Sequence, residues 1–237
     1  MVKGHECGDI RNWGICRQEV ITTDNNIYEN GWDQTNAYIF GIIMSDGCLK
    51  YEGRYRNRLA IRIGLNDYDM IETLHNYMCV GNKIYCQGKQ YSIKYRNEDS
   101  INFLMNYGLT ERKSLTMRFP NLPHNILASF IRGYFDGDGS IVLTHTQYNT
   151  YGQVSFASGS KDFLIGLQNV LFNNFNIKST LYDDGHKDTS TMTLKITKRK
   201  EIDKLFDIMY KDANIYLERK YQKFIELNNN PLKYNIA

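Results

Sequence analysis

Asp46 and Asp138 are where this sequence could do chemistry. They stand 92 residues apart and close matching segments, IFGIIMSDG (39–47) and IRGYFDGDG (131–139). Each segment is an apolar helical run that ends in Asp-Gly. A carboxylate at a helix C-terminus is poorly placed, because the helix dipole already puts about half an electron charge of the same sign there. Two such carboxylates brought together repel strongly unless a multivalent cation neutralises them, and hard oxygen ligands suit Mg²⁺. The pair therefore reads as metal ligands. The plainer alternative is that each Asp-Gly is only a turn after a core helix, which a single copy would favour over two.

The elements that must position these acids are legible around them. Gly41 and Ser45, like Gly133 and Gly137, lie four apart and share one helix face, leaving a groove shallow enough for a second backbone. Gly47 and Gly139 are expected to adopt the left-handed conformation that stops a helix. The duplication runs further. RLAIRIGLNDYDMIETLH (58–75) parallels QVSFASGSKDFLIGLQ (153–168), YSIKY (91–95) parallels MTLKI (192–196), and LTERKS (109–114) parallels YLERKY (216–221). Helices are predicted over 36–46, 67–79 and 98–107, with strands near 48–52, 57–65, 82–87 and 91–96, and then the repeat. Two halves, 33–120 and 121–228, are expected to join near 115–127, with an N-terminal extension over 1–32 and a tail over 229–237.

Both acidic segments resemble the signature helix of the LAGLIDADG homing endonucleases, and the second, FIRGYFDGDGSI (130–141), is the closer match. The first departs by Met44, where the motif often has an earlier Asp, and by Phe40 in place of a small residue. The resemblance covers residues 33 to about 228. It implies an α+β fold of two pseudo-symmetric αββαββ repeats, signature helices packed at the centre, and two antiparallel, saddle-shaped sheets facing DNA. It implies that Asp46 and Asp138, with the main-chain carbonyls of Ser45 and Gly137, hold Mg²⁺ against the scissile phosphates, with Mn²⁺ or Ca²⁺ able to substitute for binding. Lys113 and Lys220 match the family's basic residue beside the phosphate, or are surface lysines near a helix start. Gly41 and Gly133 fall at the helix interface. The strand Gln of some relatives has no equivalent; by spacing, Gly64 and Gly159 stand nearest.

The implied activity is double-strand hydrolysis of a long, asymmetric DNA site leaving 3′ overhangs, by a monomer encoded in an intron or independently. Strands of about ten residues, rising roughly 3.3 Å each, set that site on the order of 20 base pairs. The same fold also serves as an intron maturase that binds RNA and as a non-cleaving DNA-binding regulator, in which the acids tend to be lost. An intein embedding is not expected, since the chain begins at Met1 and lacks a terminal His-Asn pair.

Charge must be read by its distribution, because a net charge of +3 over 237 residues announces nothing by itself. Lys50, Arg54, Arg56, Arg58 and Arg62 stand against one acid, Glu52, and Lys83, Lys89, Lys94 and Arg96 against none between 83 and 96. Leu59, Ile61 and Ile63 alternate with Arg58, Ala60 and Arg62, so one sheet face is for a core and the other for solvent or an anionic partner. The predicted contacts to double-stranded DNA in the first half are Lys50, Arg54, Arg56, Arg58, Arg62, Lys83, Tyr85, Lys94 and Arg96. In the second they are His145, Gln147, Tyr148, Gln153, Lys178, Lys187 and Lys195. No apolar run approaches eighteen residues, so a membrane partner is not expected and the protein is expected to be intracellular, in cytoplasm, nucleoid or organelle matrix. Five cysteines without a C-x-x-C pair suggest free thiols, and His5, Cys7 and Cys16 lack a fourth partner for zinc.

Overall fold

A computed structural model describes residues 24–52, 58–79, 82–183 and 191–230. The first half runs α1 (Gln34–Asp46), β1 (Gly47–Glu52), β2 (Arg58–Leu65), α2 (Tyr68–Met78), β3 (Tyr85–Gln87), β4 (Gln90–Tyr95) and α3 (Glu98–Asn106). The second runs α4 (Leu127–Asp138), β5 (Gly139–His145), β6 (Thr150–Ser158), α5 (Lys161–Phe175), β7 (Thr180–Asp183), β8 (Met192–Ile196), α6 (Arg199–Tyr210) and α7 (Glu218–Asn229). The four-stranded antiparallel sheets share one topology, β1-β2-β4-β3 and β5-β6-β8-β7. This is the expected α+β architecture, with one asymmetry: Lys113 lies in a single 3₁₀ turn, Lys113–Leu115, whereas Lys220 lies in the first turn of α7.

Local chemistry accounts for the elements. Asp33 opens α1 with a capping box: its carboxylate accepts from Asn36 N at 2.7 Å while Asn36 Oδ1 accepts from Asp33 N at 2.9 Å. Asn97 and Ser160 cap α3 and α5 more simply, each side-chain oxygen accepting from one backbone amide, Ser100 N and Phe163 N. Helix α1 is buried from Asn36 to Met44, so it forms the middle of the molecule rather than a surface. The strands bury one face each, through Ile61 and Ile63, Ile93 and Tyr95, Val154 and Phe156, and Leu194 and Ile196.

Register corrects one reading of the repeat. Ile63 pairs with Ile93 as Phe156 pairs with Leu194, so the counterpart of Gly64 is Ala157 and not Gly159. Gly159 instead lies after β6, where a Cβ would fall 2.8 Å from Ser114 O in the connection between halves.

Residues 24–32 are bound into the first half. Buried Asp24 accepts from Arg96 N at 2.6 Å and from the Asn82 amide. Trp32 packs among Tyr28, Phe40, Phe103 and Tyr107. Cys48 and Cys79 are free, but Cys86 is disulfide-bonded, against the expectation of free thiols. Among the described residues no helix is long and apolar enough to cross a membrane.

Candidate active site at the helix seam

Helices α1 and α4 touch backbone to backbone. A Cβ on Gly133 would come well under 3.0 Å from Tyr38 O and 3.2 Å from Gly41 Cα; one on Gly41 would fall 2.6 Å from Tyr134 N. One turn further on, a Cβ on Gly137 would strike Ser45 Oγ and lie 2.5 Å from Asp46 Oδ2. The small-residue stripe thus lets both helices deliver their C-terminal carboxylates to one seam.

The helices end differently from expectation. Gly47 (φ −79°, ψ 144°) and Gly139 (φ −89°, ψ 162°) are extended, not left-handed. Each helix runs straight into a strand, and glycine is needed for room: a Cβ at Gly47 would sit 2.8 Å from Ile43 Cα, and one at Gly139 2.5 Å from Phe135 O.

The electrostatics are those of a crowded acidic pair. Burial, followed by the charge of Asp138, pushes the Asp46 carboxyl up to about 6, although Ser45, Lys220 and Lys113 oppose the rise. Burial also raises Asp138, against the pull of Lys113 and Lys220. Both lysines are buried, not surface groups. Lys220 Nζ donates to Phe135 O (2.6 Å), Asp136 O (2.8 Å) and Gly139 O (2.6 Å), with Gly137 O at 3.3 Å. Lys113 Nζ donates to Ser45 O at 3.3 Å. Lys220 therefore holds several orphan carbonyls at the end of α4 and Lys113 one at the end of α1, and each offsets its helix dipole. Burial lowers both amines, Lys220 to about 8.

The donor set suits a hard cation. Two desolvated carboxylates are relieved by a positive ion, and the carbonyls of Ser45 and Gly137 each keep a second lone pair beside their lysine. No cluster of three His, Cys, Asp or Glu side chains occurs among the described residues, so the other ligands would be carbonyls and water.

Sequence reasoning missed Asp136. Its Oδ2 accepts from Tyr38 OH and Leu217 N, both at 2.8 Å, tying α4 to α1 and to the start of α7, while its Oδ1 is buried without a partner. Arg132 reaches the same region, donating to Ile215 O (3.0 Å) and Met209 O (2.6 Å) with its guanidinium 5.3 Å from the Tyr38 ring centre. The signal was the mismatch in the repeat: Asp136 stands where the first copy has Met44.

The outward sheet faces carry the other candidates unequally. On the first, Lys50 and Arg62 are exposed, Arg62 touches Ser92, and Tyr85 lies on the same face. Lys94 sits between them but is paired with Glu52 at 2.9 Å, with Arg96 3.7 Å from the same carboxylate. Lys83 is exposed just before β3. On the second face Gln153 and Lys195 stand among Ser140, Thr144, Ser155 and Thr193, and Lys195 lies 4.7 Å from the Tyr182 ring centre. Lys178 precedes β7 and shares a hollow with Lys195 and Lys198. Gln147 and Tyr148 are exposed in the β5–β6 turn. His145 is not outward: strand alternation puts it with Ile141 and Leu143, and its ring reaches Glu226 of α7 at 3.4 Å. Arg54, Arg56 and Lys187 lie outside the described residues, and of Arg58 only the backbone is described.

Residues 125–209 match the family model of the LAGLIDADG-like domain. The intron-encoded DNA endonuclease ai2b of Dictyostelium discoideum is 21% identical over 202 residues, 78% of this chain and 74% of that protein. A probable translation initiation factor IF-2 of Methanocaldococcus jannaschii is 26% identical over 218 residues, 84% of this chain, which spans only 17% of that protein. Among solved structures, the homing endonuclease I-WcaI bound to its DNA recognition sequence superposes with a TM-score of 0.58 at 12% identity, covering 82% of this chain and 90% of that one. The LAGLIDADG meganuclease I-AabMI bound to uncleaved DNA gives 0.57 at 15% identity, covering 81% and 89%. At these identities the likeness is one of fold.

Proposed function

We propose, for a chain that carries a LAGLIDADG-like domain and has the fold of the LAGLIDADG homing endonucleases, that it is a site-specific DNA endonuclease acting as a monomer. The observation that carries this reading is the meeting of two aspartate-tipped helices at one seam, held by glycine contacts that admit no side chain. One chain supplies both carboxylates, so two strands can be addressed without a second subunit. The substrate is a duplex of about 20 base pairs, scaled from strand rise, cut on both strands with 3′ overhangs. Unlike halves in one chain read an asymmetric site.

Asp46 and Asp138, with the carbonyls of Ser45 and Gly137, would hold Mg²⁺, which when bound lowers the pKa of a water and offsets charge on the departing oxygen. The chain's own residues do the rest. Lys113 and Lys220 brace the helix ends and keep positive potential at the seam; with its three hydrogens on carbonyls, Lys220 acts by positioning rather than by donating to substrate. Hydrolysis adds one water across the phosphorus–O3′ bond: the water oxygen bonds to phosphorus as that bond breaks, one proton leaves to solvent and one is taken up by the 3′ oxygen. The outward faces of the two sheets offer Lys50, Arg62, Gln153 and Lys195 to phosphates and base edges.

The test is a duplex library selected with purified protein and Mg²⁺. Wild type is expected to cut both strands, and Asp46→Asn and Asp138→Asn each to lose double-strand cleavage while keeping duplex affinity. Full cleavage by either variant removes the metal assignment.

A further inference from the structure

Gly64 leaves bare backbone on the outward face of β2, and Gln90 of β4 covers it: a Cβ on Gly64 would lie 3.1 Å from Gln90 Nε2. Gln90 and Asp46 line one cavity of ≈ 180 Å³ together with Asp67, Asp136, Gly137 and Arg219. Arg219 comes from the other half and grips Asp67 at 3.1 and 3.2 Å. Strand β4 thus brings a carboxamide to the seam at a place where β2 has no side chain at all.

The second half is built otherwise. Register makes Ala157 the counterpart of Gly64 and Thr191 the counterpart of Gln90. Ala157 places a methyl on the ground that Gly64 leaves open, and threonine is two heavy atoms shorter than glutamine. A carboxamide donates and accepts hydrogen bonds and does not titrate. Beside the Asp46 and Asp136 carboxylates that line the same cavity, it can orient a water or a phosphate oxygen without changing the local charge.

Resting on the endonuclease reading above, we propose that Gln90 is the positioning residue of the Asp46 half, orienting the attacking water there, and that the Asp138 half, where the Tyr134 hydroxyl bonds Asp138 and donates to Ala157 O, works without a carboxamide. The two DNA strands are then cut at unequal rates, through a nicked duplex. The chemistry is the hydrolysis already balanced above, and Gln90 neither gains nor loses a proton.

The experiment uses the full chain, Mg²⁺, and a supercoiled plasmid carrying the duplex selected from the randomised library, with the two strands followed by separate end labels. Wild type is expected to pass through nicked circles. Gln90→Ala slows one strand on the order of 10- to 100-fold and leaves the other unchanged. Duplex affinity without divalent ions and the thermal midpoint stay at wild-type values, since Gln90 is exposed. Gly64→Gln in the Gln90→Ala background restores the slowed strand by planting a carboxamide from the adjacent position, and Ala157→Gly with Thr191→Gln accelerates the other strand. Equal wild-type rates, equal slowing of both strands, no slowing, or slowing explained by lost affinity each overturn this inference and leave the endonuclease reading standing. Failure of wild type to cut either strand overturns both.

Discussion

Asp136 is a buried carboxylate that coordinates structure rather than chemistry. Burial pushes its carboxyl up to about 6, while the Tyr38 hydroxyl, the Leu217 amide, Lys220 and Arg132 oppose the rise. In an unfolded chain the same group titrates near 3.9. Between those values the folded state binds more protons than the unfolded one, so this group makes stability fall as pH rises from about 4 to 6, and the cost persists above 6. Asp136→Asn keeps an oxygen for both accepted bonds and has no charge to bury. Its thermal midpoint is expected to gain on wild type between pH 4.5 and pH 7.5; a constant difference would mean the carboxyl is not held up by burial. Asp136→Ala strands the Tyr38 hydroxyl and the Leu217 amide, and is expected to cost about 2 to 4 kcal/mol in denaturant unfolding.

At the scale of elements, the contact of α1 with α4 serves stability and chemistry together. Gly133 faces backbone, the Tyr38 carbonyl, which cannot yield without parting the helices. Gly133→Ala is therefore expected to cost about 3 kcal/mol or more. Gly137 faces Ser45, whose Cβ would lie 2.5 Å away and cannot turn aside, and Asp46 Oδ2, also at 2.5 Å, which can. Gly137→Ala is therefore expected to cost stability too, about 1 to 3 kcal/mol, and to lose most cleavage besides, because the seam carboxylate is displaced. Full cleavage by Gly137→Ala would contradict this placement of Asp46. The order of helices and strands was legible here because apolar periodicity and the duplicated segments constrain it twice. Gln90 and Asp136 were not legible as parts of the site. Gln90 reaches Gly64 only through β2–β4 register, and Asp136 finds its partners 98 and 81 residues away in sequence. Gly47 and Gly139 were legible as special positions but for the wrong reason, since spacing cannot distinguish a left-handed turn from a close approach.

At the scale of the whole molecule, the two outward sheet faces are not copies. The first carries Lys50, Arg62 and Lys94 against Glu52, whereas the second presents Ser, Thr and Gln153 with the exposed Val142, Tyr151 and Tyr182 and, among the described strand residues, a single cation, Lys195. A basic face gains affinity by displacing counterions from phosphates, and a neutral polar face by matching hydrogen bonds to base edges. On the endonuclease reading, the two halves of a bound duplex are then held by different physics. Lys50→Ala with Arg62→Ala is expected to reduce the slope of log affinity against log salt by about 2, near 0.9 for each phosphate released, and to do so on every sequence tested. Gln153→Ala is expected to leave that slope unchanged and to relax base preference within one half-site, at about 1 to 3 kcal/mol of discrimination. Salt titrations of duplex binding against half-site libraries measure both quantities together. A slope unaltered in the double variant would take Lys50 and Arg62 off the phosphates, and an altered slope in Gln153→Ala would mean that the second face also binds by charge.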